Sequence, residues 1–398
     1  MNVAAQAPPQ VAHKRLRIAV LNRVFSPTGG GAERYSIALV EQLAARHEIH
    51  VFAQQIDHHW PGVIYHRVSQ PLKRPRWINQ LWYATATWWA TRAGFDVVHS
   101  HENTWHGQVQ TVHVLPIKHN LFRGRAGVAR ALRWLKVLTS PRLWVYLALE
   151  RARYAAKPGR ALVMTSSSLQ RVMMETHPHT TPMLRLLTPG VAAALGQASP
   201  NGKDRARQIL SLPRHLPCIL LVANDFRKKG LTTLLAAVAQ LQGDEVVAVV
   251  GNIAHADGYK AQIKSLGLQS RVFFLGALKD VTPAYLAADV LAHPTQQDTF
   301  AMVVLEAMAH GLPVVVSGEA FCGIAGLLTH GDNALILQNP RDATELASQL
   351  QSVLQDPERR RRLNQGAVTF ASDHLWERAA RTQEAIYLES LENYEPLG

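Results

Sequence analysis

Two acidic residues, Asp298 and Glu306, have the spacing needed to hold one extended polar ligand between them. We predict that Asp298 lies in the loop after a short strand and that Glu306 lies in the helix that follows. Eight helical positions correspond to about two turns and leave the side chains about 80° from eclipse, so both lie on roughly one side. Glu306 has apolar neighbours on both sides in sequence, and a carboxylate in such a place needs hydrogen-bond donors. The pair therefore suits a ligand that carries hydroxyl groups at both ends.

Three consecutive cations, Arg227, Lys228 and Lys229, follow a predicted strand and precede a predicted helix over 231–241. The N-terminal end of a helix carries partial positive charge, so cations there are repelled by the helix dipole. A bound anion such as a phosphate group would relieve this repulsion. A solvated basic turn is the alternative, and the sequence leaves both open.

A glycine-rich segment over 26–34, with Gly30 and Gly31 at its centre, connects the first predicted strand to the first predicted helix. Backbone amides of consecutive glycines can approach a phosphate closely at the N-terminus of a helix. The segment matches neither the dinucleotide-binding fingerprint nor the phosphate loop that ends in Gly-Lys-Ser/Thr. It is a candidate ligand contact, with a flexible turn as the alternative.

The histidines and cysteines do not predict a metal site. His99, His101 and His106 are close in sequence, but no carboxylates accompany them at ligand spacing. The two cysteines, Cys218 and Cys322, are too few for a disulfide framework and point to a reducing compartment. We expect neither a metal nor a cofactor.

The elements that position these residues alternate between short apolar runs and amphipathic stretches, which is typical of parallel sheets covered by helices. We predict strands at 17–22, 48–54, 63–68, 96–99, 109–114 and 161–165 in the first half, with a helix over 33–46. In the second half we predict strands at 218–223, 246–251, 272–275, 290–293, 313–317 and 334–337. The fold class is therefore α/β with two doubly wound domains, whose boundary lies near 188–190. Ligands of such sheets bind beyond the carboxyl ends of the strands, where the three candidate segments are predicted to lie.

Charge and tryptophan are unevenly distributed between the two halves. Residues 1–190 hold 24 Lys and Arg against 8 Asp and Glu, a net charge of +16, whereas the remainder has a net charge of −3. Eight of the nine tryptophans also fall in the first half. A predicted helix over 126–138 places Arg130, Arg133 and Lys136 on one arc and Trp134 with apolar residues on the other. Such a surface suits anionic headgroups, with tryptophan at the interface.

Packing in the core of the first domain is the alternative for these apolar faces. A second basic and aromatic segment begins near 73, and for its Trp88 and Trp89 we predict core packing. No stretch reaches about 18 uninterrupted apolar residues, and the residues before Lys14 are too polar for a signal-peptide core. We therefore expect a protein of the cytosol.

Together the three segments resemble the GT-B glycosyltransferases of family 4, which are retaining and use nucleotide sugars. The most specific part is Asp298-x7-Glu306 running into Ala307-Met308-Ala309-His310-Gly311-Leu312-Pro313, similar to the E-x7-E signature of that family. The resemblance implies that Lys229, with Arg227 and Lys228, holds the donor diphosphate. It further implies that Glu306 holds the nucleotide ribose, that Asp298 contacts the sugar hydroxyls, and that Gly30 and Gly31 line the cleft from the other domain.

Two departures from the family pattern concern the sugar end of this motif. Asp298 replaces the usual glutamate, and Ala301, after Phe300, replaces a glycine whose backbone approaches the sugar. Phe300 and Ala301 are included among the expected donor contacts. His113 lies at the end of the predicted strand 109–114, where many members have a histidine beside the reacting centre, so it is a catalytic candidate together with Asp298 and Lys229. The resemblance also implies that no catalytic metal is needed.

Within this family, three segments look like the bacterial lipopolysaccharide core glucosyltransferase branch. They are Asp225-Phe226-x-x-Lys229-Gly230, residues 149–154 and residues 187–191. This implies an acceptor and membrane-facing domain over 1–190, a donor domain over 191–375 and a final helix over 376–398 that packs back on the first domain. It also implies transfer of a hexose, glucose being favoured, from a UDP-sugar to a lipid-linked saccharide at the inner face of the cytoplasmic membrane. A polyisoprenoid-linked or soluble acceptor is one alternative. A basic nucleic-acid-binding protein is another, but the paired acids have no role in it, so no nucleic acid is expected.

Overall fold

The computed structural model describes residues 15–72, 74–193, 196 and 199–393. The described residues of the first half form nine strands: β1 (Arg17–Leu21), β2 (Val24–Phe25), β3 (Glu48–Ala53), β4 (Gln55–Ile56), β5 (Val63–Arg67), β6 (Val97–Ser100), β7 (Val109–Val112), β8 (Ala161–Met164) and β9 (Leu184–Leu186). Its helices are α1 (Gly31–Leu43), α2 (Arg76–Thr91), α3 (Ile117–Phe122), α4 (Gly127–Leu138), α5 (Pro141–Arg153) and α6 (Ser167–Thr176).

Seven of these strands form one parallel sheet in the order β5-β3-β1-β6-β7-β8-β9. The order reverses between β1 and β6, because the chain crosses first to one side of β1 and then to the other. Strands β6, β7 and β8 and all of β1 after Arg17 are buried, as expected for parallel strands covered by helices on both faces. The glycine-rich segment leaves the sheet at this reversal, where ligands of open α/β sheets bind.

In the second half, the part of the chain that the structure describes contains six strands: β10 (Cys218–Val222), β11 (Val246–Val250), β12 (Val272–Gly276), β13 (Val290–His293), β14 (Val314–Ser317) and β15 (Leu335–Leu337). They form a second parallel sheet in the order β12-β11-β10-β13-β14-β15, which reverses between β10 and β13. Its helices are α7 (Pro200–Ile209), α8 (Leu231–Val238), α9 (Lys260–Ser265), α10 (Thr282–Ala287), α11 (Met302–Ala309), α12 (Ala343–Gln355) and α13 (Pro357–Ser372). Two doubly wound sheets are thus confirmed.

The last helix, α14 (Trp376–Glu392), lies against α1 and contributes to the hydrophobic core of the first sheet. Trp376 and Tyr387 are buried there, and the Tyr387 hydroxyl is 2.7 Å from Nδ1 of His99 on β6. The chain crosses itself at Gly190, where a Cβ would lie 2.5 Å from the backbone nitrogen of Trp376. Only glycine allows this close approach. The predicted helix over 376–398 ends at Glu392, and 394–398 lie outside the described residues.

The sequence-based prediction differed from the structure at the start of α1, at three short strands and on the exposed face of α2. Helix α1 begins at Gly31 rather than at 33, and the strands β2, β4 and β9 were not predicted. Strands of two or three residues are too short to produce a periodic pattern. The prediction that Trp88 and Trp89 pack in the core is wrong, because 40% and 55% of their surfaces are exposed. None of the helices in the described part of the chain is long and apolar enough to cross a membrane.

Candidate active site

A cleft of about 600 Å³ separates the carboxyl ends of the two sheets. The first domain contributes Thr28, Gly29, Gly31 and Arg34 to its walls, and the second contributes Asn224, Lys229, Tyr285, His293, Asp298, Ala301 and Glu306, among others. Five of the residues predicted from sequence therefore meet here: Gly31, Lys229, Asp298, Ala301 and Glu306. In each of the two sheets, the point at which the strand order reverses borders this cleft.

Asp298 lies in the loop after β13, where its carboxylate contacts one lysine and one histidine. Nζ of Lys229 forms an ion pair with Oδ2 of Asp298 and lies 3.4 Å from the carbonyl oxygen of Gln297. Nε2 of His293 is 3.2 Å from the same Oδ2. A carboxylate only accepts, so Nε2 of His293 carries the proton and donates. The predicted sugar-contacting acid is thus positioned before any ligand arrives.

The pKa of Asp298 lies well below its usual range. Burial alone would raise this pKa, but the hydrogen bond from His293 and the charge of Lys229 outweigh it. The pKa of His293 is lowered, chiefly by burial. At neutral pH Asp298 is therefore ionised beside a neutral histidine and a cationic lysine.

The cationic loop, which carries Arg227, Lys228 and Lys229, packs closely on the Asp298 loop that follows β13. Glycine at position 230 permits this close packing. Gly230 has φ +79°, and a Cβ at this position would lie 2.1 Å from the carbonyl oxygen of Pro294. The backbone nitrogen of Gln296 also donates to the carbonyl oxygen of Lys228, at 2.8 Å. The two loops follow the neighbouring strands β10 and β13, which brings Lys229 to Asp298.

The other two cations of the loop do not share this position. Arg227 and Lys228 are exposed and are not among the described residues that line the cleft. Lys228 contributes its carbonyl oxygen to the loop contact instead of its charge. Of the three predicted diphosphate-binding cations, the structure therefore brings Lys229 alone to the cleft wall.

Glu306 on α11 is bound by donors from both domains. Nη1 of Arg34, on α1, is 2.9 Å from Oε1 and 3.0 Å from Oε2, and the Tyr285 hydroxyl donates to Oε2 at 2.7 Å. Burial works against the charge of Arg34, but Glu306 outweighs it and raises the pKa of the guanidinium. Burial also raises the pKa of Tyr285, which stays a neutral donor. Sequence reasoning missed Arg34 and Tyr285 as site residues, since only tertiary structure brings them to Glu306.

Phe300 and Ala301 connect the Asp298 loop to α11. The Phe300 side chain is buried in the core of the second domain, so its contact with a donor is limited to the backbone. Its backbone nitrogen lies 3.3 Å from Oδ1 of Asp298. Ala301 lines the cleft with φ +77°, a left-handed conformation that is strained for any residue with a Cβ. The glycine that is usual in the family would be unstrained here.

The glycine-rich segment ends at the first turn of α1. Gly29 and Gly31 line the cleft, whereas Gly30 is not among the described lining residues. A Cβ on Gly29 would lie 2.8 Å from the Cβ of Glu33, and a Cβ on Gly31 would lie 3.9 Å from Sδ of Met302 on α11. Glycine at 29 therefore avoids a clash with Glu33, whereas at Gly31 a Cβ would make an ordinary contact with the second domain.

His113 follows β7 and lies just behind the Asp298 loop. Its Nε2 is 2.9 Å from Nδ1 of His101, and its carbonyl oxygen accepts from Oγ1 of Thr299 at 2.7 Å. Burial, with the nearby charge of Arg153, lowers the pKa of His113 to about 3. The ring is therefore neutral at neutral pH. His113 is not among the described residues that line the cleft.

Two of the three histidines considered as metal ligands, His99 and His101, form hydrogen bonds within the first domain. Nε2 of His99 is 2.7 Å from Oγ1 of Thr111, and His101 pairs with His113. Within the described residues no group of three or more His, Cys, Asp or Glu side chains could hold a metal ion.

The predicted membrane-contacting residues lie on α4, which is largely exposed. Arg130 and Lys136 are exposed, Arg133 is half-buried, and 48% of the Trp134 surface is exposed. The apolar face of the helix also faces outward, because Val128, Leu132, Leu135 and Leu138 are exposed as well. Val137 is the one buried residue of this helix.

Two facing Rossmann-like domains with a cleft between the carboxyl ends of their sheets define a GT-B fold. The crystal structure of WaaG, a glycosyltransferase involved in lipopolysaccharide biosynthesis, has the same fold, with a TM-score of 0.78 and 22% identity over 93% of this chain and 99% of that chain. Residues 29–192 match the family Glycosyltransferase Family 4, and residues 202–369 match Glycosyl transferases group 1. The chain belongs to these glycosyltransferase families, whose two matches together cover most of its length.

Two curated relatives are similar in sequence. The lipopolysaccharide glucosyltransferase WaaG of Escherichia coli is 30% identical over 234 residues, which are 57% of this chain and 61% of that protein. The D-inositol 3-phosphate glycosyltransferase of Corynebacterium aurimucosum is 27% identical over 242 residues, which are 58% of this chain and 57% of that protein. The aligned part of this chain thus spans less than two thirds of each relative.

Proposed function

We propose that this protein transfers a hexose from a nucleoside diphosphate sugar, with UDP-glucose as the favoured donor, to a lipid-linked saccharide such as a lipopolysaccharide core. The observation that carries the proposal is the alignment of Lys229, Asp298 and Glu306 along one wall of the interdomain cleft. The three groups match the three parts of a nucleotide sugar. Glu306 would hold the ribose hydroxyls, Lys229 the diphosphate and Asp298 the hydroxyls of the sugar.

In the proposed reaction the bond between the sugar C1 and the diphosphate oxygen breaks, and its electron pair leaves with the diphosphate. The acceptor hydroxyl oxygen bonds to C1 on the same face, which gives retention, and its proton passes to the departing phosphate. Negative charge therefore grows on the diphosphate in the transition state. Lys229 and the backbone amides at the cleft can stabilise this charge without a divalent ion.

His113 is proposed as a neutral hydrogen-bonding group behind the reacting centre. Its contact with Thr299 ties the first domain to the loop that carries Asp298. Because the ring is neutral and lies behind the cleft wall, its contribution would be to hold this loop in place rather than to supply positive charge.

The acceptor proposal is supported by the E. coli relative, whose name states a lipopolysaccharide glucosyltransferase. The exposed face of α4 supports it further, because a lipid-linked acceptor requires an enzyme at the membrane surface. Arg130, Arg133 and Lys136 would contact anionic headgroups, while Trp134 would enter the interface. We place the protein peripherally at the inner face of the cytoplasmic membrane.

A soluble phosphorylated acceptor is the second candidate. The Corynebacterium relative supports it, since its name states a D-inositol 3-phosphate glycosyltransferase. Both candidate functions use the same donor site. They differ in the acceptor that binds on the side of the first domain.

The experiment begins with thermal unfolding in the presence of UDP-, GDP- and ADP-sugars, because a bound donor raises the midpoint by mass action. The stabilising donor, carrying a radiolabelled sugar, is then incubated with lipopolysaccharide core acceptor or with inositol 3-phosphate. Label in the lipid fraction is the expected result. Label in inositol phosphate alone would favour the second candidate, and no stabilisation by any nucleotide sugar would reject the donor site.

A further inference from the structure

Helix α2 has an inner face that buries Asn79, Gln80 and Tyr83, and an outer face that exposes three of its tryptophans. On the inner face the amides of Asn79 and Gln54 exchange hydrogen bonds of 2.8 and 2.9 Å, and Nε2 of Gln80 donates to the carbonyl oxygen of Asn103 at 3.0 Å. The outer face carries Leu81, Trp82, Trp88 and Trp89, which are 38–55% exposed. At 100° per residue these four positions fall within one arc of about 120°. An outward aromatic face of this kind marks an interaction surface.

The surroundings of this face are positively charged. No acidic residue occurs between Asp57 and Asp96. Exposed cations lie along the segment at Arg67, Arg74, Arg76 and Arg92. The Arg92 guanidinium carbon lies 4.2 Å from the ring centroid of Trp89, a cation–π contact that keeps the cation beside the aromatic face.

We propose that the outer face of α2 is a second membrane-contact surface, which inserts Trp82, Trp88 and Trp89 into the interfacial region of an anionic bilayer. The inference rests on the membrane attachment in the proposed function, where α4 is the contact. Indole rings favour the membrane–water boundary because one edge is polar and the remainder apolar. Flanking arginines favour anionic headgroups.

A second copy of this chain fits the surface less well. Two copies related by a twofold axis would bring the same patch together. The cations around α2 would then face cations, with no acidic residue of the segment to neutralise them. An anionic bilayer supplies the missing negative charge.

Helix α5 contacts both α2 and α4, so one structural unit carries both surfaces. Trp144 on α5 is also exposed, and its Nε1 donates to the carbonyl oxygen of Leu138 at the end of α4. The α4 contact combines charge with apolar residues, whereas the α2 contact is dominated by indole rings. Salt screens charge but not apolar burial, so α2 is expected to retain the protein on the membrane at high ionic strength.

The test is co-sedimentation of the full chain with phosphatidylcholine vesicles with or without 30% phosphatidylglycerol, at low and high NaCl concentration. We compare the wild type with Trp82/Trp88/Trp89→Ser and with the control Trp60→Ser, which changes an exposed tryptophan outside α2. At high salt we expect the triple variant to partition at least about tenfold more weakly than the wild type, with Trp60→Ser unchanged. Thermal stabilisation by UDP-glucose should be the same in all three proteins, which verifies folding.

A third variant, Arg130/Arg133/Lys136→Glu, separates this inference from the proposed function. If the wild type fails to bind anionic vesicles at all, both membrane contacts are rejected. If the α4 variant loses binding while the α2 variant partitions like the wild type at both salt concentrations, the α2 inference alone is rejected. Sedimentation velocity showing a wild-type dimer that the α2 variant abolishes would also overturn it, because the face would then be a contact between copies.

Discussion

Arg34 and Glu306 form an ion pair across the cleft, with 2.9 Å between Nη1 and Oε1. The pair joins α1 of the first domain to α11 of the second, although the residues are 272 positions apart. Glu306 is also the carboxylate proposed to bind the nucleotide ribose. Arg34 therefore contacts the same carboxylate oxygens that the ribose would need.

Replacing Arg34 by alanine is expected to strengthen nucleotide binding, because it removes a competitor for Glu306. A half-exposed ion pair contributes up to about 1 kcal/mol, so the UDP dissociation constant should fall about two- to fivefold. Isothermal titration calorimetry measures this, with Arg34→Lys as the control that keeps the charge. Weaker binding by Arg34→Ala would mean that Arg34 itself contacts the nucleotide.

Lys229→Ala and Glu306→Gln are each expected to reduce donor binding or turnover by about 10²-fold or more, since each removes a charged partner of the ligand in a partly dehydrated cleft. Lys228→Ala is the matched control, because Lys228 is a neighbouring cation with an exposed side chain and should change turnover little. Initial rates with the donor found by thermal shift provide the measurement. Equal effects at Lys228 and Lys229 would contradict the placement of the diphosphate.

Activity should persist after exhaustive chelation. The charge of Lys229 takes the place of a divalent ion at the diphosphate in the proposed reaction. Transfer rates are compared before and after EDTA treatment and dialysis. Loss of activity that Mg²⁺ or Mn²⁺ restores would reject metal independence.

The stability of the protein should fall as pH decreases below 6.5. Burial lowers the pKa of His99 and His113 to about 3 and that of His106 to about 4, so below pH 6.5 the unfolded chain binds protons that the folded chain does not. Each such histidine adds up to about 1.4 kcal/mol per pH unit to the slope of the unfolding free energy. Urea unfolding at several pH values between 7 and 5 measures this slope. It should be shallower in His113→Gln, and identical slopes would show that His113 is protonated in the folded state.

Ala301→Gly should stabilise the fold. The residue has φ +77°, where glycine avoids the Cβ strain at the expense of a more flexible unfolded chain. We expect a net gain of about 0.5–1 kcal/mol from urea unfolding. Ala347→Gly in the middle of α12 is the control and should destabilise by about 1 kcal/mol. Destabilisation at both positions would show that the Ala301 methyl group has a packing role.

The sequence was informative where the residues of the site are local. Asp298 and Glu306 belong to one loop and the helix after it, and Lys229 follows a recognisable buried strand, so strand order alone brings them to one edge. Arg34 and Tyr285 could not be predicted as partners of Glu306, because their contact depends on how two domains face each other. Nothing in the residue types of 26–34 distinguishes an arginine that crosses a cleft from one that points to solvent.

The error at Trp88 and Trp89 has a different physical origin. Tryptophans with helical spacing usually mark a buried face. In the structure the buried face of α2 is mixed, because Tyr83 lies there together with polar residues such as Asn79, which bonds to Gln54. Polar residues that find hydrogen-bond partners inside weaken the apolar periodicity of a buried face, so hydropathy patterning does not reveal it.

The position of α14 has a consequence for the order in which the protein is made. Trp376, Ala380 and Tyr387 belong to the core of the first domain, yet they are translated after the whole second domain. At about 5–20 residues per second, the ribosome needs on the order of 10–40 s to reach α14 after completing β9. By the end of that interval the second domain has its whole chain, whereas the first still lacks one wall of its core. We therefore expect the first domain to complete its folding only after the second domain has been synthesised.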